Sequence, residues 1–341
     1  MSPENWAQAE RQLKQLQTPE LVESAICEAR EAGSAQIHVR DWPERSGVCW
    51  SPPSAEVRTL SARPYTRALA MGWGVHSFSS LSAGAEHAER DNDNVSGPAW
   101  LEATDGESIH AFPAGANAGS CLHSIFENIE FTALTEIESE VGRRLVIAGF
   151  AAERWTGVVS AMLRAVLRAP LGEGFALGQI PVAQRKVEVE FLLPMSAVSS
   201  RELRASLGEE AAGRLHFEAR QGWLKGFMDL VVEHAGRFYI VDWKSNRLGA
   251  QAGAYDTAGM HAAMVQHSYL LQASLYALAL HRYLSSRIPD YSYEAHFGGA
   301  FYVFVRGVSP ESPGTGIYHV HPTEAEILAL ERHFQSAPHA C

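Results

Sequence analysis

Two β-type runs, Gly226-Phe-Met-Asp-Leu-Val-Val-Glu233 and Arg237-Phe-Tyr-Ile-Val-Asp-Trp-Lys244, are separated only by the short glycine-containing turn His234-Ala-Gly-Arg237. β-Branched and aromatic runs joined this tightly can pair only as an antiparallel hairpin. The hairpin commits this part of the chain to a sheet, and its contents constrain it further. Side chains two apart on a strand share a face, so Asp242 and Lys244 point the same way. Asp229 lies in the partner strand. Ile240 and Val241 are apolar, so the strand is expected to be buried. Buried charges are costly unless paired or bound to metal. Three ionisable groups on adjacent strands therefore need a partner or a ligand.

The rest of the chain supplies helices and further strands. In residues 1–70, Trp6, Leu13, Leu16, Leu21, Ile26 and Ala29 have the spacing of amphipathic helices, and Thr18-Pro19 reads as an N-cap followed by proline at the first helical position. Trp42 to Pro53, with Pro43 and Pro52-Pro53, reads as a loop or linker, and the small, polar, acidic residues within 82–111 as an exposed loop. Phe112-Pro-Ala-Gly-Ala-Asn-Ala-Gly119 reads as a glycine-rich turn. It opens onto a helix with Leu122, Ile125, Phe126 and Ile129 on one side. A second helix is predicted over 153–169, a strand at Val187–Pro194, a long helix over 258–285 and a late buried strand from Phe297. This order predicts a mixed α/β domain over 111–341, preceded by a mainly helical extension (1–70) and a lead-in segment with an acidic loop (71–110).

Composition removes several classes. The 341 residues carry a formal net charge of −11, against a diffuse cationic nucleic-acid binder. A local basic cleft remains open: residues 220–247 hold five basic groups against three acids. There is no long apolar run for a membrane span and no signal-peptide layout at Met1-Ser-Pro-Glu-Asn-Trp. Cys27, Cys49, Cys121 and Cys341 are scattered, so neither a zinc ribbon nor a disulfide scaffold is expected, and a reducing, cytoplasmic compartment is the expectation. Lys244 is one of only four lysines among 28 basic residues. Its compact charge, unlike the wide fork of arginine, suits a place beside a phosphate.

A divalent metal would account for the acids. Mg²⁺ takes hard oxygen ligands, often one or two carboxylates, and makes a bound water a better nucleophile. The plainer alternative is a structural Asp–Lys pair at a strand end. His123 and Glu127, four apart, share a helix face, as do Gln272 and Tyr276. Each of those pairs, taken alone, is also what the wet side of an ordinary helix looks like.

Taken in order, Gly226-Phe-Met-Asp229, Val241-Asp242-Trp-Lys244-Ser-Asn and Gln272-x3-Tyr276 resemble the RecB-type branch of the PD-(D/E)XK nucleases. Phe112-Pro-x-Gly, Leu122-His123-Ser-x-Phe-Glu127, His296-Phe-Gly-Gly and Phe304-Val-Arg-Gly extend the resemblance over about 73–335. It implies a restriction-endonuclease-like core, a mixed sheet flanked by helices, and a Mg²⁺-dependent DNA nuclease (Mn²⁺ as substitute) of the exodeoxyribonuclease V type. It implies metal ligation by His123, Asp229, Asp242 and the backbone carbonyl of Trp243, with Lys244 as the catalytic lysine. Glu127, Gln272 and Tyr276 take supporting places. Implied partners are DNA, RecC-like and RecD-like subunits, and a separate helicase part that delivers a single strand; no membrane partner is expected. The chain has no G-x4-G-K-[ST] loop, hence no ATP site of its own, and no cysteine cluster for an iron–sulfur centre. It is expected to be the product of a split gene or a fragment. The competing reading is a non-catalytic remnant that binds DNA or a RecC-like partner.

Overall fold

The computed structural model describes residues 18–32, 73–82, 108–135, 137–172, 174–310, 312 and 314–335. The chain divides into two units, Met1–Arg67 and Ala68–Cys341. In the first, helix α1 (Pro19–Ala32) begins where the Thr18-Pro19 signal puts it, and Val22 N–H donates to the Thr18 carbonyl. The expected helix at Trp6–Leu16, the linker at 42–53 and the acidic loop over 83–107 lie outside the described residues.

The second unit runs β1 (Trp73–Ser77), α2 (Phe78–Ser82), α3 (Ala116–Asn128), α4 (Ile137–Ile147), α5 (Ala152–Arg168), β2 (Pro170–Leu171), β3 (Phe175–Ala176), β4 (Arg185–Val198), α6 (Ser200–Ala212), β5 (Arg220–His234), β6 (Arg237–Lys244), α7 (Thr257–Gln266), α8 (Tyr269–Arg287), α9 (Tyr293–His296), β7 (Phe297–Phe304), β8 (Ile317–Val320) and α10 (Glu324–Glu331). Among the described residues, no helix is long and apolar enough to cross a membrane.

A six-stranded mixed sheet organises this unit, in the order β1-β5-β6-β7-β8 with β4 also on β5. The β5–β6 hairpin forms as the sequence predicts, antiparallel from Leu230↔Val241 to His234↔Arg237. Its two-residue turn places both Ala235 (φ 50) and Gly236 (φ 77) in the left-handed region, the turn geometry that matches strand twist. β6 then pairs in parallel with β7.

β5 is the strand that positions the site. One flank pairs with β4 along most of its length. The other flank takes β1 at 221–225 and β6 at 230–234, which leaves Gly226 to Asp229 between them without a ladder partner on that side. β1 approaches closely because Gly74 faces Gly222: a Cβ on Gly222, at φ 126, would stand 2.0 Å from the Gly74 carbonyl oxygen. Gly226 is needed for a different reason, since the ring of Phe191 occupies the place of its missing side chain.

Alternation along the strands feeds two cores, with the phase of β5 shifting across Asp229, opposite the left-handed Glu188 (φ 50). Leu230, Val232, Val241, Trp243 and Val303 pack against α3, α4 and α5, whereas Met228, Val231, Ile240, Tyr302 and Phe304 pack towards α6 and α8. Burial of this much apolar surface on both faces drives the fold.

Several elements differ from the sequence expectation. The single helix over 258–285 is two, α7 and α8, because Ser268 adopts a left-handed conformation (φ 57) between them. The apolar pattern runs unbroken through that corner, so periodicity does not reveal it. The glycine-rich turn is shorter than expected: Gly115 (φ 109) is the N-cap and α3 already begins at Ala116. Helix α4, which buries Ile137, Val141 and Leu145, lies in a stretch where no helix was predicted.

Candidate active site

The β5–β6 register, continued one step past Leu230↔Val241, sets Asp229 opposite Asp242 where the two strands part. Parting frees the Trp243 N–H, and Asp229 Oδ2 accepts it at 2.8 Å. His123, from α3, brings Nδ1 to 3.5 Å from the same oxygen. The indole of Trp243 stacks on Phe126 of α3, with ring centroids 4.0 Å apart and planes 12° from parallel. That contact fastens the helix carrying His123 to the strand carrying Asp242.

Asp242 and Lys244 are both buried, and Lys244 Nζ lies 2.6 Å from Asp242 Oδ2. Burial pushes the Asp242 carboxyl up to about 7, against the attraction of Lys244 and with the repulsion of Asp229. Burial also acts to raise Asp229, but His123, Lys244 and the Trp243 N–H outweigh it and hold that carboxyl below its ordinary value. The two acids thus titrate apart, as neighbouring carboxylates do. Burial works against the Lys244 charge too, yet Asp242, Tyr269 and Asp229 overcome it, so the ammonium stays protonated.

Lys244 is held on several sides. Its Nζ donates to Gln272 Oε1 at 3.2 Å, and it sits over the rings of Tyr269 (3.9 Å) and Tyr302 (5.4 Å), cation–π contacts that favour the charge. Gln272 is the hub: Oε1 also accepts from Tyr302 Oη at 3.1 Å, while Nε2 donates to Tyr276 Oη at 3.1 Å. An ammonium has only donors, so it fixes which way the amide points. Burial, then the nearby Asp242, raise the Tyr302 phenol well above its ordinary value, which keeps its proton available to Gln272.

All eight residues singled out in the sequence, His123, Glu127, Asp229, Asp242, Trp243, Lys244, Gln272 and Tyr276, line one cleft of about 640 Å³. Its donors are hard carboxylate oxygens and an imidazole, the set that suits a divalent cation. Asp242 and Asp229 together bring two carboxylates against the single Lys244 ammonium, an excess of negative charge that a cation would compensate. Their spacing is open: among the described residues, no three His, Cys, Asp or Glu side chains close to metal-binding distances. The expected basic cleft is largely neutralised, since Lys225 pairs with Glu190 at 3.0 Å and Lys244 with Asp242.

Sequence reasoning missed several neighbours. Tyr302 enters because the β6–β7 register pairs it with Asp242, and Tyr269 because of the corner at Ser268. Glu188 lines the cleft from β4, where it lies between Val187 and Val189, which pair with Leu230 and Met228 on either side of Asp229. Its φ of 50 is unusual for a residue inside a strand. Arg306 is fully buried and donates to the backbone carbonyls of Ser245, Ile109, Phe112 and Pro113 at 2.6–2.9 Å. It ties the segment leading into α3 to the end of β6. Its sequence signals were its position at the end of an apolar strand and its place in the Phe304-Val-Arg-Gly motif.

A mixed sheet split at a hairpin, with an Asp on one strand and Asp-x-Lys on the next, defines the PD-(D/E)XK class. The profile of the PD-(D/E)XK nuclease superfamily matches residues 102–338, and the chain belongs to that superfamily. Within it the chain is similar to the RecBCD enzyme subunit RecB of Escherichia coli K12, at 38% identity over 84% of this chain and 25% of that protein. It is also similar to the RecB subunits of Haemophilus influenzae (30% identity; 83% of this chain, 26% of that protein) and Mycolicibacterium smegmatis (31% identity; 80% and 29%). The chain therefore spans about a quarter of the length of these relatives.

Proposed function

We propose that this chain is a metal-dependent DNA nuclease module of the RecB type, without a helicase motor within its own sequence. The observation that carries the reading is the convergence of His123, Asp229, Asp242 and Lys244 on one cleft where the hairpin opens, with Asp242 buried and Asp229 partly buried. His123, Asp229, Asp242 and the Trp243 carbonyl would hold a Mg²⁺ ion, with Glu127 beside them. When bound, such an ion polarises a phosphoryl oxygen and acidifies a water.

The chain's own residues do the rest. Asp229, held ionised and pinned by the Trp243 N–H, and Asp242, ionised as pH rises through about 7, present the negative wall of the cleft. Lys244 offers a fixed positive charge for the scissile phosphate, and Gln272, Tyr269 and Tyr302 keep it from swinging away. Pre-set charge of this kind costs no reorganisation when the phosphate arrives.

The division at about residue 70, with the nuclease domain over 111–341, belongs to the same proposal. So does partnership with RecC-like and RecD-like subunits and a helicase that delivers the strand, suggested by the RecB relatives and the net charge of −11. The test is cleavage of linear DNA with Mg²⁺ or Mn²⁺ by the wild type and by Asp242→Ala. Cleavage that needs the metal and disappears in the variant is expected; equal cleavage by both sinks the reading. The non-catalytic alternative would instead give a wild type that neither cleaves nor binds metal at Asp229 and Asp242.

A further inference from the structure

On their side of the sheet, helices α3–α5 cover β6, β7 and the Leu230–Val232 end of β5. Among the described residues, no element packs on that side over β1, the Gln221–Phe227 stretch of β5 and the part of β4 facing it, while the other side of these strands buries Leu193, Met195, Leu224 and Met228. The registers Trp73↔Gln221, Val75↔Trp223 and Lys225↔Leu192 set the outward side chains of three strands into one surface. Its large apolar groups are well exposed: Trp73 and Val75 by 63%, Leu192 by 50%, Phe227 by 41% and Trp223 by 37%. A contiguous apolar patch of this kind marks a binding surface. It is also continuous with the cleft, for Val75, Ser77, Lys225 and Phe227 line both.

We propose that this bare sheet face, with Trp223 and Phe227 at its centre and Trp73 at its rim, is a stacking track that leads a single DNA strand to Asp229. The proposal rests on the nuclease reading and adds a subsite to it. Three observations select a nucleic-acid strand as the occupant. The surface ends at the two carboxylates, where a strand must pass to be cut. Outward residues of β5 recur about every 7 Å, so Trp223 and Phe227 can meet separate bases of an extended strand. Aromatic faces accept any base, so such a track needs no particular sequence. The one lysine on the face, Lys225, is paired with Glu190 at 3.0 Å, so stacking rather than phosphate attraction must supply the affinity.

The experiment compares binding of a fluorescent oligothymidine of about sixteen nucleotides and an abasic strand of equal length, with the whole chain in EDTA. The wild type should prefer the thymidine strand by about tenfold or more, with a shallow salt dependence. Trp223→Ala/Phe227→Ala should bind both strands alike, and Trp223→Phe should keep the preference. No preference in the wild type, or a preference that survives the double substitution, overturns the track and leaves the face as a protein contact. Because the assay needs no cleavage, it separates the two readings. Preference without metal-dependent cleavage removes only the catalytic reading, and cleavage without preference removes only the track.

Discussion

Replacing Lys244 by methionine tests the electrostatics of the cleft most directly. The side chain keeps its length but loses the charge that sits 2.6 Å from Asp242 Oδ2. At an effective dielectric constant of about 20, that separation corresponds to roughly 6 kcal/mol of attraction. Desolvation of the ammonium offsets part of it, and breaking a buried pair of this kind costs about 3–5 kcal/mol. What remains in Lys244→Met is a buried Asp242 facing the partly buried Asp229. Asp242 already titrates near 7 with its partner present, well above the ordinary carboxylate value, so without the lysine its pKa should move higher still. A carboxyl whose folded pKa is raised costs stability that builds up between its unfolded value of about 4 and its folded pKa, so the cost starts to shrink only once pH falls below the folded pKa and is gone near pH 4. The apo variant should therefore lose about 3–5 kcal/mol at pH 8, measured by urea unfolding, and recover part of it by pH 6, with the remainder returning towards pH 4. Mn²⁺ should restore stability at pH 8 by mass action while cleavage stays absent. A variant as stable as the wild type at pH 8, with no gain on acidification, would refute the view that the two acids crowd each other in one site.

Other outcomes follow from the same geometry. Gln272→Leu strands Tyr302 Oη and releases Lys244, so it should cost about 1–3 kcal/mol in thermal unfolding and lower kcat more than it raises KM. Arg306→Met leaves four backbone carbonyls without their guanidinium; a loss of about 3 kcal/mol or more is expected, with weaker Mn²⁺ binding by calorimetry as α3 loosens from β6. Ala235→Gly relieves a left-handed alanine (φ 50) at the hairpin turn and should stabilise the fold by about 1 kcal/mol in urea unfolding. Burial lowers the pKa of both His281 and His319, so the unfolded chain takes up protons that the folded chain resists. Their contribution to stability should be present above about pH 6.5 and fall away below it, and His319→Gln should flatten that acid limb of the stability curve.

Much of the candidate site could be read from local pattern. Strand period put Asp242 and Lys244 on one face, and the four residues His234-Ala-Gly-Arg237 forced the hairpin that sets Asp229 opposite them. His123, Gln272 and Tyr276 were different: helical spacing alone left them as ordinary polar pairs, and only the ordered set of motifs gave them a place. Their convergence depends on α3 and α8 approaching the hairpin from opposite faces of the sheet, which no local pattern encodes.

The linear sequence by itself determined the hairpin, the acid–lysine face and the mixed α/β class. Each follows from interactions between residues a few positions apart, where backbone geometry and hydrophobic period leave little freedom. Tertiary structure alone decided the rest. It brought Tyr302 to Asp242 through the β6–β7 register, turned Tyr269 under Lys244 at the Ser268 corner, and sent Arg306 to carbonyls nearly two hundred residues upstream. It also left Trp73, Val75, Leu192, Trp223 and Phe227 exposed on one sheet face beside the cleft. Those arrangements arise from the packing of distant segments around two shared cores, so their chemistry appears only once the chain has folded.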